Sequence, residues 1–422
     1  MTYCQQAGTR ANDRAAFGEA VASFEQALQA LAHLPEDDDT RGLAIGLRLA
    51  LAGPLTPLGE NKRRLALLGE AEALARALDD RARLGQVLAS MGHVLRLTGD
   101  FEGAIVVGRQ ACELAAVLAE RGVQVQASSR LGQAYHAIGD FGRAAELLRW
   151  SVEAADRESG TSSTGWRIQS RAWLAQTLSA LGAFAEGRRH GEEALRLATL
   201  AGQGPFPVIA HSDLGRLYLA QGELEHAIRV LEQGLALCRT SSNRNVLPMI
   251  AAGLGSAYAL QGRLAEGRAL LEEAISEALR TGALRGHAHW VAGLSEVCRL
   301  AGRGEEAWQH ARQALDVARR QKARGAEAIA LHQLGVVHAH AAPLDVAQAE
   351  AHYQQALTLA EELGMRPLQA HCHHGLGRLY HQTGRAAPAR TALSAAIDLY
   401  RAMDMTLWLP QAEAVLTQVE SQ

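Results

Sequence analysis

A side chain of almost no bulk returns at ten places in this chain, 40 to 44 residues apart, and this recurrence restricts the fold more than any other feature. The positions are Ala27, Ala71, Ala111, Ser151, Ala194, Gly234, Ala274, Ala314, Ala356 and Ala396. Seven residues before each stand Ala20, Arg64, Ala104, Ala144, Gly187, Ala227, Gly267, Ala307, Ala349 and Ala389. Two helices can cross closely only where Cβ bulk is minimal, so such columns mark the crossings of paired helices. One residue beyond the small column come large apolar knobs such as Leu28, Leu195, Leu235, Leu315 and Ile397, with Glu72 as the charged exception. Gly59, Gly99, Gly139, Gly182, Gly222, Gly262, Gly302 and Gly384 precede the first column by five residues, where a helix ends and positive φ is needed.

Each unit therefore reads as helix, Gly turn, helix: LGQAYHAIGDFGRAAELL from Leu131, LGRLYLAQGELEHAIRVL from Leu214, LGSAYALQGRLAEGRALL from Leu254 and LGRLYHQTGRAAPARTAL from Leu376. Texture is uniform over 422 residues and aromatics make up only 5%, which favours one all-α repeat array over several globular domains. The columns predict hairpins over approximately 1–34, 41–79, 82–120, 123–157, 166–201, 206–240, 246–281, 286–321, 326–363 and 368–403, with a capping helix over 407–420. PEDDDT at Pro35–Thr40 reads as an acidic loop and RESGTSSTG at Arg157–Gly165 as a flexible insertion. The first repeat begins at Met1 with no cap ahead of it, which suggests a piece cut from a longer parent; the polar end of the last helix suggests a natural terminus near Gln422.

The spacing Leu-Gly, Tyr three residues after the Gly, then Ala at both columns resembles the tetratricopeptide family, although its usual Trp and closing Pro are mostly missing. The resemblance implies an all-α, right-handed superhelical solenoid of about ten hairpins. A period near 40 rather than 34 adds about one and a half helical turns per unit and implies a wider superhelix, as in kinesin light chains and bacterial maltose-type transcription activators. AEAHYQQALTLAEELGMRPLQAHCHHGLGRLY from Ala349 and AIDLYRAMDMTLWLPQAEAVL from Ala396 look like the C-terminal region of large bacterial signalling proteins, and RLALAGPLTPLGE at Arg48 is similar to the same family. In those proteins a class III adenylate or guanylate cyclase domain and a P-loop ATPase domain precede the repeats.

Catalysis does not carry over. Lys62 and Lys322 are the only lysines, and neither stands in a Gly-x-x-x-x-Gly-Lys loop; no cyclase aspartate pair and no Gly-x-Ser-x-Gly occurs. A net charge of −3 with scattered arginines gives no field for nucleic acid. The five cysteines, far apart, read as buried thiols of a reducing compartment. The longest uncharged run, Asn245–Gly262, is broken by Pro248 and three glycines, and the N-terminus has no secretory pattern. The expectations are a cytoplasmic location, no membrane, no cofactor and no enzyme activity.

In a tetratricopeptide groove the first helices line the concave face. The resemblance places Gln86, His93, Arg96, Gln126, Ser129, Gln133, His136, Gln169, Gln176, Ser179, Ser212 and Arg216 there in the middle of the chain. Toward the C-terminus it places His289, Glu296, Arg299, His332, His340, His371, His374, Arg378, His381 and Gln382. Eight of 17 histidines lie between His332 and His381, and with Arg299 and Arg378 as exposed cations this end suits an acidic or phosphorylated segment. The alternative is a wet, hydrogen-bonded inner surface with no ligand. His371 with His374 and a third ligand from His338 or His340 is the one metal-like grouping, and no metal is expected there. Tyr218, Tyr258 and Tyr380, like Trp150, Trp173 and Trp290, read as core.

The leading functional expectation is a non-enzymatic protein- or peptide-binding regulatory scaffold, the sensory or assembly region of a cyclase/ATPase-type protein, whose partners are an acidic ligand and the parent's own domains. Two alternatives stay open: homo-oligomerisation through the end hairpins, and sensing of a small effector.

Overall fold

In the computed structural model residues 2–118, 120–157, 161–202, 206–240 and 244–421 are described, and among them every regular element is helical. The helices are α1 (Thr2–Asp13), α2 (Phe17–Leu31), α3 (Asp38–Leu58), α4 (Asn61–Ala77), α5 (Arg81–Thr98), α6 (Phe101–Leu118), α7 (Arg121–Ile138), α8 (Phe141–Asp156), α9 (Thr161–Leu181) and α10 (Phe184–Ala201). There follow α11 (Phe206–Gln221), α12 (Leu224–Thr240), α13 (Leu247–Leu260), α14 (Leu264–Thr281), α15 (His287–Leu300), α16 (Gly304–Arg320), α17 (Arg324–Ala339), α18 (Val346–Glu362), α19 (Arg366–Gln382), α20 (Ala386–Ala402) and α21 (Leu409–Glu420). One turn of 3-10 helix, Arg244–Val246, leads into α13. Odd and even helices pair in order as ten hairpins and α21 closes the array, a tetratricopeptide-like solenoid. No helix among the described residues is long and apolar enough to cross a membrane.

The small-residue columns lie where the helices cross. All members of the second column are buried, and in the first column only Arg64 is large. In the seventh hairpin the approach is so close that a Cβ on Gly267 would stand 2.6 Å from the Gly255 carbonyl oxygen. The eight turn glycines take φ of 74° to 93°, so each ends a first helix in the left-handed conformation that costs glycine least. A recurring latch joins neighbouring hairpins. Tyr218, Tyr258 and Tyr380 donate to Glu192, Glu232 and Glu350 at 3.0, 2.7 and 2.8 Å, while Arg188, Arg263 and Arg385 cover the rings.

Long helices do not widen the coil; the chain meets itself after five hairpins. Hairpin 2 touches hairpin 7, where the Asn61 side-chain amide donates to the Thr281 carbonyl at 3.1 Å and Asn245 donates to the Thr56 carbonyl. Hairpin 3 touches hairpin 8, with Lys322, just beyond the end of α16, reaching Glu102 at 2.6 Å. Phe101, Phe141 and Phe184 begin α6, α8 and α10, and each is buried against the wall of the following turn. Phe101 packs with Val317, Ala318 and Ala323, Phe141 with Met365 and Leu368, and Phe184 with Tyr400 and Met403. Each such burial contributes about 1.5–3 kcal/mol. Hairpins 8 and 10, with no further turn stacked on them, carry Gly304 and Ala386 at that helix start. The concave face of the solenoid is therefore a lumen inside two stacked turns, which the aromatic seam helps to hold in contact.

Ala274 is fully buried at its crossing. Ala274→Leu is expected to lower stability by about 1–3 kcal/mol through overpacking, read as a shift of the chemical denaturation midpoint; a neutral outcome would refute this helix register.

Candidate functional site

The first turn encloses a cavity of about 470 Å³, lined by residues from hairpins 2 to 8. One wall is cationic: Arg64 from the start of α4, His93 and Arg96 from α5, Arg130 from α7, and Arg285 from the connection between α14 and α15. The lining also carries apolar side chains, Phe206 and Ile209 from α11, Val246 just before α13 and Met249 within it, where the Met249 sulfur accepts from Arg285, and the indoles of Trp166 and Trp173 of α9. Arg130 lies 5.0 Å from the centre of the Trp166 ring, and Arg96 and Arg285 lie 4.8 and 5.8 Å from that of Trp173. Stacking on an indole holds a guanidinium plane in place while leaving its edge N–H groups unused.

Those donors lack acceptors. Arg96 is only 1% exposed and Arg64 only 7%, and neither they nor Arg130 and Arg285 make an ion pair with a described residue. Nε and Nη1 of Arg64 and Arg96, and Nε of Arg130, are buried with no hydrogen-bond partner. His93 Nδ1 faces Arg130 at 2.6 Å and Arg96 at 3.3 Å, so it accepts from both and the ring proton belongs on Nε2. Burial, and then Arg130, Arg64, Arg96 and Arg285, hold His93 well below its usual pKa and therefore neutral. Burial likewise lowers Arg64 to about 10 and Arg285 to about 10, and it lowers Arg130 to about 9 with help from neighbouring arginines. The nearest carboxyl, Asp213, is pushed up to about 6 by burial even though Arg216, Arg285 and Arg96 pull it down. Each buried donor left unmatched costs on the order of 1–3 kcal/mol.

The second turn is different because most of its polar groups satisfy one another. Glu296 receives both arms of Arg299 at 2.8 and 2.7 Å, and Gln333 donates to it at 2.8 Å. His371 Nδ1 lies 2.9 Å from the Tyr400 hydroxyl, and its ring meets Trp408 edge-on at 4.7 Å and lies 6.1 Å from His332. His374 Nδ1 is 3.5 Å from the same hydroxyl, while its Nε2 is buried without a partner. Burial lowers His332 to about 4, His371 to about 3 and His374 to about 4, so these rings are neutral near pH 7.

The structure thus brings Glu296, Arg299, His332, His371 and His374 together, but as a packed network rather than a row of cations. Arg216 sits deeper, beside Asp213, where it and His289 lie close enough to His136 to depress its pKa. His340, Arg378 and Gln382 are exposed and His381 is half-buried near the C-terminal ends of α17 and α19. Arg299, expected as an exposed cation, is only 18% exposed and paired. His338 stacks on His352 at 5.2 Å instead of joining His371 and His374. Among the described residues no group of three His, Cys, Asp or Glu could hold a metal.

Tyr218, Tyr258, Tyr380 and Trp290 are buried as expected, whereas Trp150 is 42% exposed and Trp173 faces the cavity. Cys238, Cys298 and Cys372 are buried; Cys4 and Cys112 are half-buried. Arg130 and Arg285 escaped the sequence reading altogether: Arg130 is off the positions assigned to the groove, and Arg285 lies in a connection that carries no periodicity. Arg64 did leave a signal, being the single bulky member of a small-residue column.

A family model described as MalT-like TPR region matches residues 118–282, and one described as Tetratricopeptide repeat matches residues 327–402. No curated protein matches the chain. Among solved structures, a Rap protein complexed with competence and sporulation factor aligns with a TM-score of 0.65 at 13% identity, covering 86% of this chain and 98% of that one. Aspartyl phosphate phosphatase F from Bacillus subtilis aligns with a TM-score of 0.51 at 14% identity, covering 83% and 91%. The apo quorum sensor NprR from B. thuringiensis aligns with a TM-score of 0.50 at 14% identity, covering 81% and 97%. At these identities the likeness is one of fold, and the chain carries a tetratricopeptide region.

Arg299→Ala strands Glu296 and is expected to cost about 1–3 kcal/mol in denaturant titration, whereas Arg378→Ala should leave the midpoint unchanged; equal effects would contradict the pairing. His332, His371 and His374 have folded pKa values below the unfolded 6.5, so their contribution is complete above pH 6.5 and is lost as pH falls toward about 4. The melting temperature should drop across that window, and less so in His332→Gln; a wild-type melting temperature that stays flat between pH 6.5 and 4 would contradict the burial of these rings.

Proposed function

We propose that this chain is a non-catalytic regulatory binding module that takes a negatively charged ligand into the lumen of its first turn. The observation that carries this reading is the set of buried arginines, Arg64, Arg96, Arg130 and Arg285, none of which makes an ion pair with a described residue, with Asp213 acting at longer range on Arg96 and Arg285 alone. A catalyst would need a nucleophile or a proton-transfer pair at the cavity, and the lining offers cations, rings and amides instead. Since the lining comes from hairpins 2 to 5 on one turn and 6 to 8 on the next, an occupant ties the turns together across their seam. The ligand then favours the closed superhelix, and that shift in population is what attached domains would sense.

Two of the similar folds are a Rap protein complexed with a competence and sporulation factor and a quorum sensor, which supports a ligand-binding regulatory role. The proposed setting is a larger, cytoplasmic bacterial signalling protein of the cyclase/ATPase type; the match to a MalT-like TPR region supports the repeat region itself.

Hydrogen–deuterium exchange of the whole chain, in parallel with inorganic pyrophosphate and with hexaglutamate, is the test. With at least one of them slower exchange is expected in α5, α7 and α9 and at the seam starts of α6 and α8. Protection confined to outward faces, or none with either anion, would sink the lumenal reading.

A further inference from the structure

We infer that the first-turn cavity is built for a small phosphate ester with a flat apolar remainder, the chemistry of a nucleotide. This rests on the reading of the lumen as the ligand site and narrows its occupant.

Three features of the lining lead there. The first is charge. Arg64, Arg96, Arg130 and Arg285 line the cavity, no carboxylate among the described residues lines it, and Asp213 outside the lining acts only on Arg96, Arg216 and Arg285. A single carboxylate brings one charge and two oxygens, while a phosphoryl group brings up to two charges and three oxygens. The unmatched donors come from α4, α5 and α7, with Arg285 reaching in from the following turn. Donors converging from several directions suit a phosphoryl or pyrophosphoryl group better than a planar carboxylate.

The second feature is the shortage of acceptors. Only Gln169 and Asn245 bring side-chain carbonyls to the lining, and His93 Nδ1 is already shared by two arginines. An extended peptide buried there would strand its backbone N–H groups. A phosphate ester has few donors to satisfy.

The third is the mixed lining. Phe206, Ile209, Val246 and Met249, with the indoles of Trp166 and Trp173, line the same cavity as the arginines, so a fitting ligand has an anionic part and an apolar, flat part. A volume of about 470 Å³ exceeds what a bare oxyanion fills and lies within the roughly 300–1,000 Å³ of small-molecule sites.

The test is isothermal titration of the whole chain with ADP, GDP, inorganic pyrophosphate and adenosine, with hexaglutamate as the peptide arm. One of the nucleoside diphosphates should bind at least tenfold more tightly than pyrophosphate, and adenosine should not bind. Arg130→Lys keeps the charge but loses the guanidinium fork, so it should weaken the nucleotide at least tenfold with an unchanged melting curve; Arg64→Gln serves as the second variant. Equal binding of adenosine and the diphosphates, equal binding of pyrophosphate and the nucleotides, or nucleotide binding unaffected by both variants would overturn the inference. Failure of both diphosphates overturns it too; if pyrophosphate or hexaglutamate still protects the lumen in hydrogen exchange, the broader reading stands, and if neither does, both fall.

Discussion

Everything in this structure depends on the close crossing of two helices at a residue with no side chain to speak of. Where Gly267 passes the Gly255 carbonyl, a single methyl group would collide with backbone. Repeating that crossing every forty or so residues makes each hairpin a rigid plate and leaves only the angle between plates to set the coil. Five plates per turn close the coil on itself, and closure brings residues of different turns to one central space. Arg285, from one turn, stacks on Trp173 of another because of that closure.

Closure has an electrostatic consequence. Charges that would be cheap on an open concave face become expensive inside a lumen, where solvent screening is lost. The two turns answer this differently. Around Glu296 the chain supplies its own counter-charge and amide, and around Tyr400 its own hydroxyl, so the second turn is a finished core. Around Arg96 it supplies a neutral imidazole and two indoles, which orient guanidinium groups without neutralising them.

The hairpins were legible because they follow from local rules: a glycine with positive φ ends one helix and a small residue admits the next. Closure after five units was harder to read, since it is set by contacts 220 residues apart, such as Asn61 with Thr281 and Glu102 with Lys322. Its trace in the sequence is partial: Phe101, Phe141 and Phe184 start second helices in hairpins that receive another turn, yet hairpin 2 receives one with Asn61 there, and Leu264 and Val346 start α14 and α18 where none follows. Histidine density drew attention to the C-terminal end, yet density measures titratable groups and says nothing of their partners. Tyr400 and Trp408, which occupy His371, come from helix and connection beyond the groove pattern.

Arg64 shows how the two levels meet. At its position in the repeat a methyl group is enough, and its neighbours in the column are Ala or Gly. A guanidinium there cannot fit the crossing, so it extends past it into the lumen, where two of its nitrogens find no acceptor. A departure from the repeat that weakens local packing and adds an unmatched buried charge lowers stability twice over, and natural sequences keep such conflicts chiefly at functional sites. The same reasoning does not apply to Glu72, the charged entry among the apolar knobs, because it is partnered by Arg76 one turn along its own helix at 2.8 Å. What separates the two exceptions is whether the chain itself supplies the opposite charge, and in the first turn it does not.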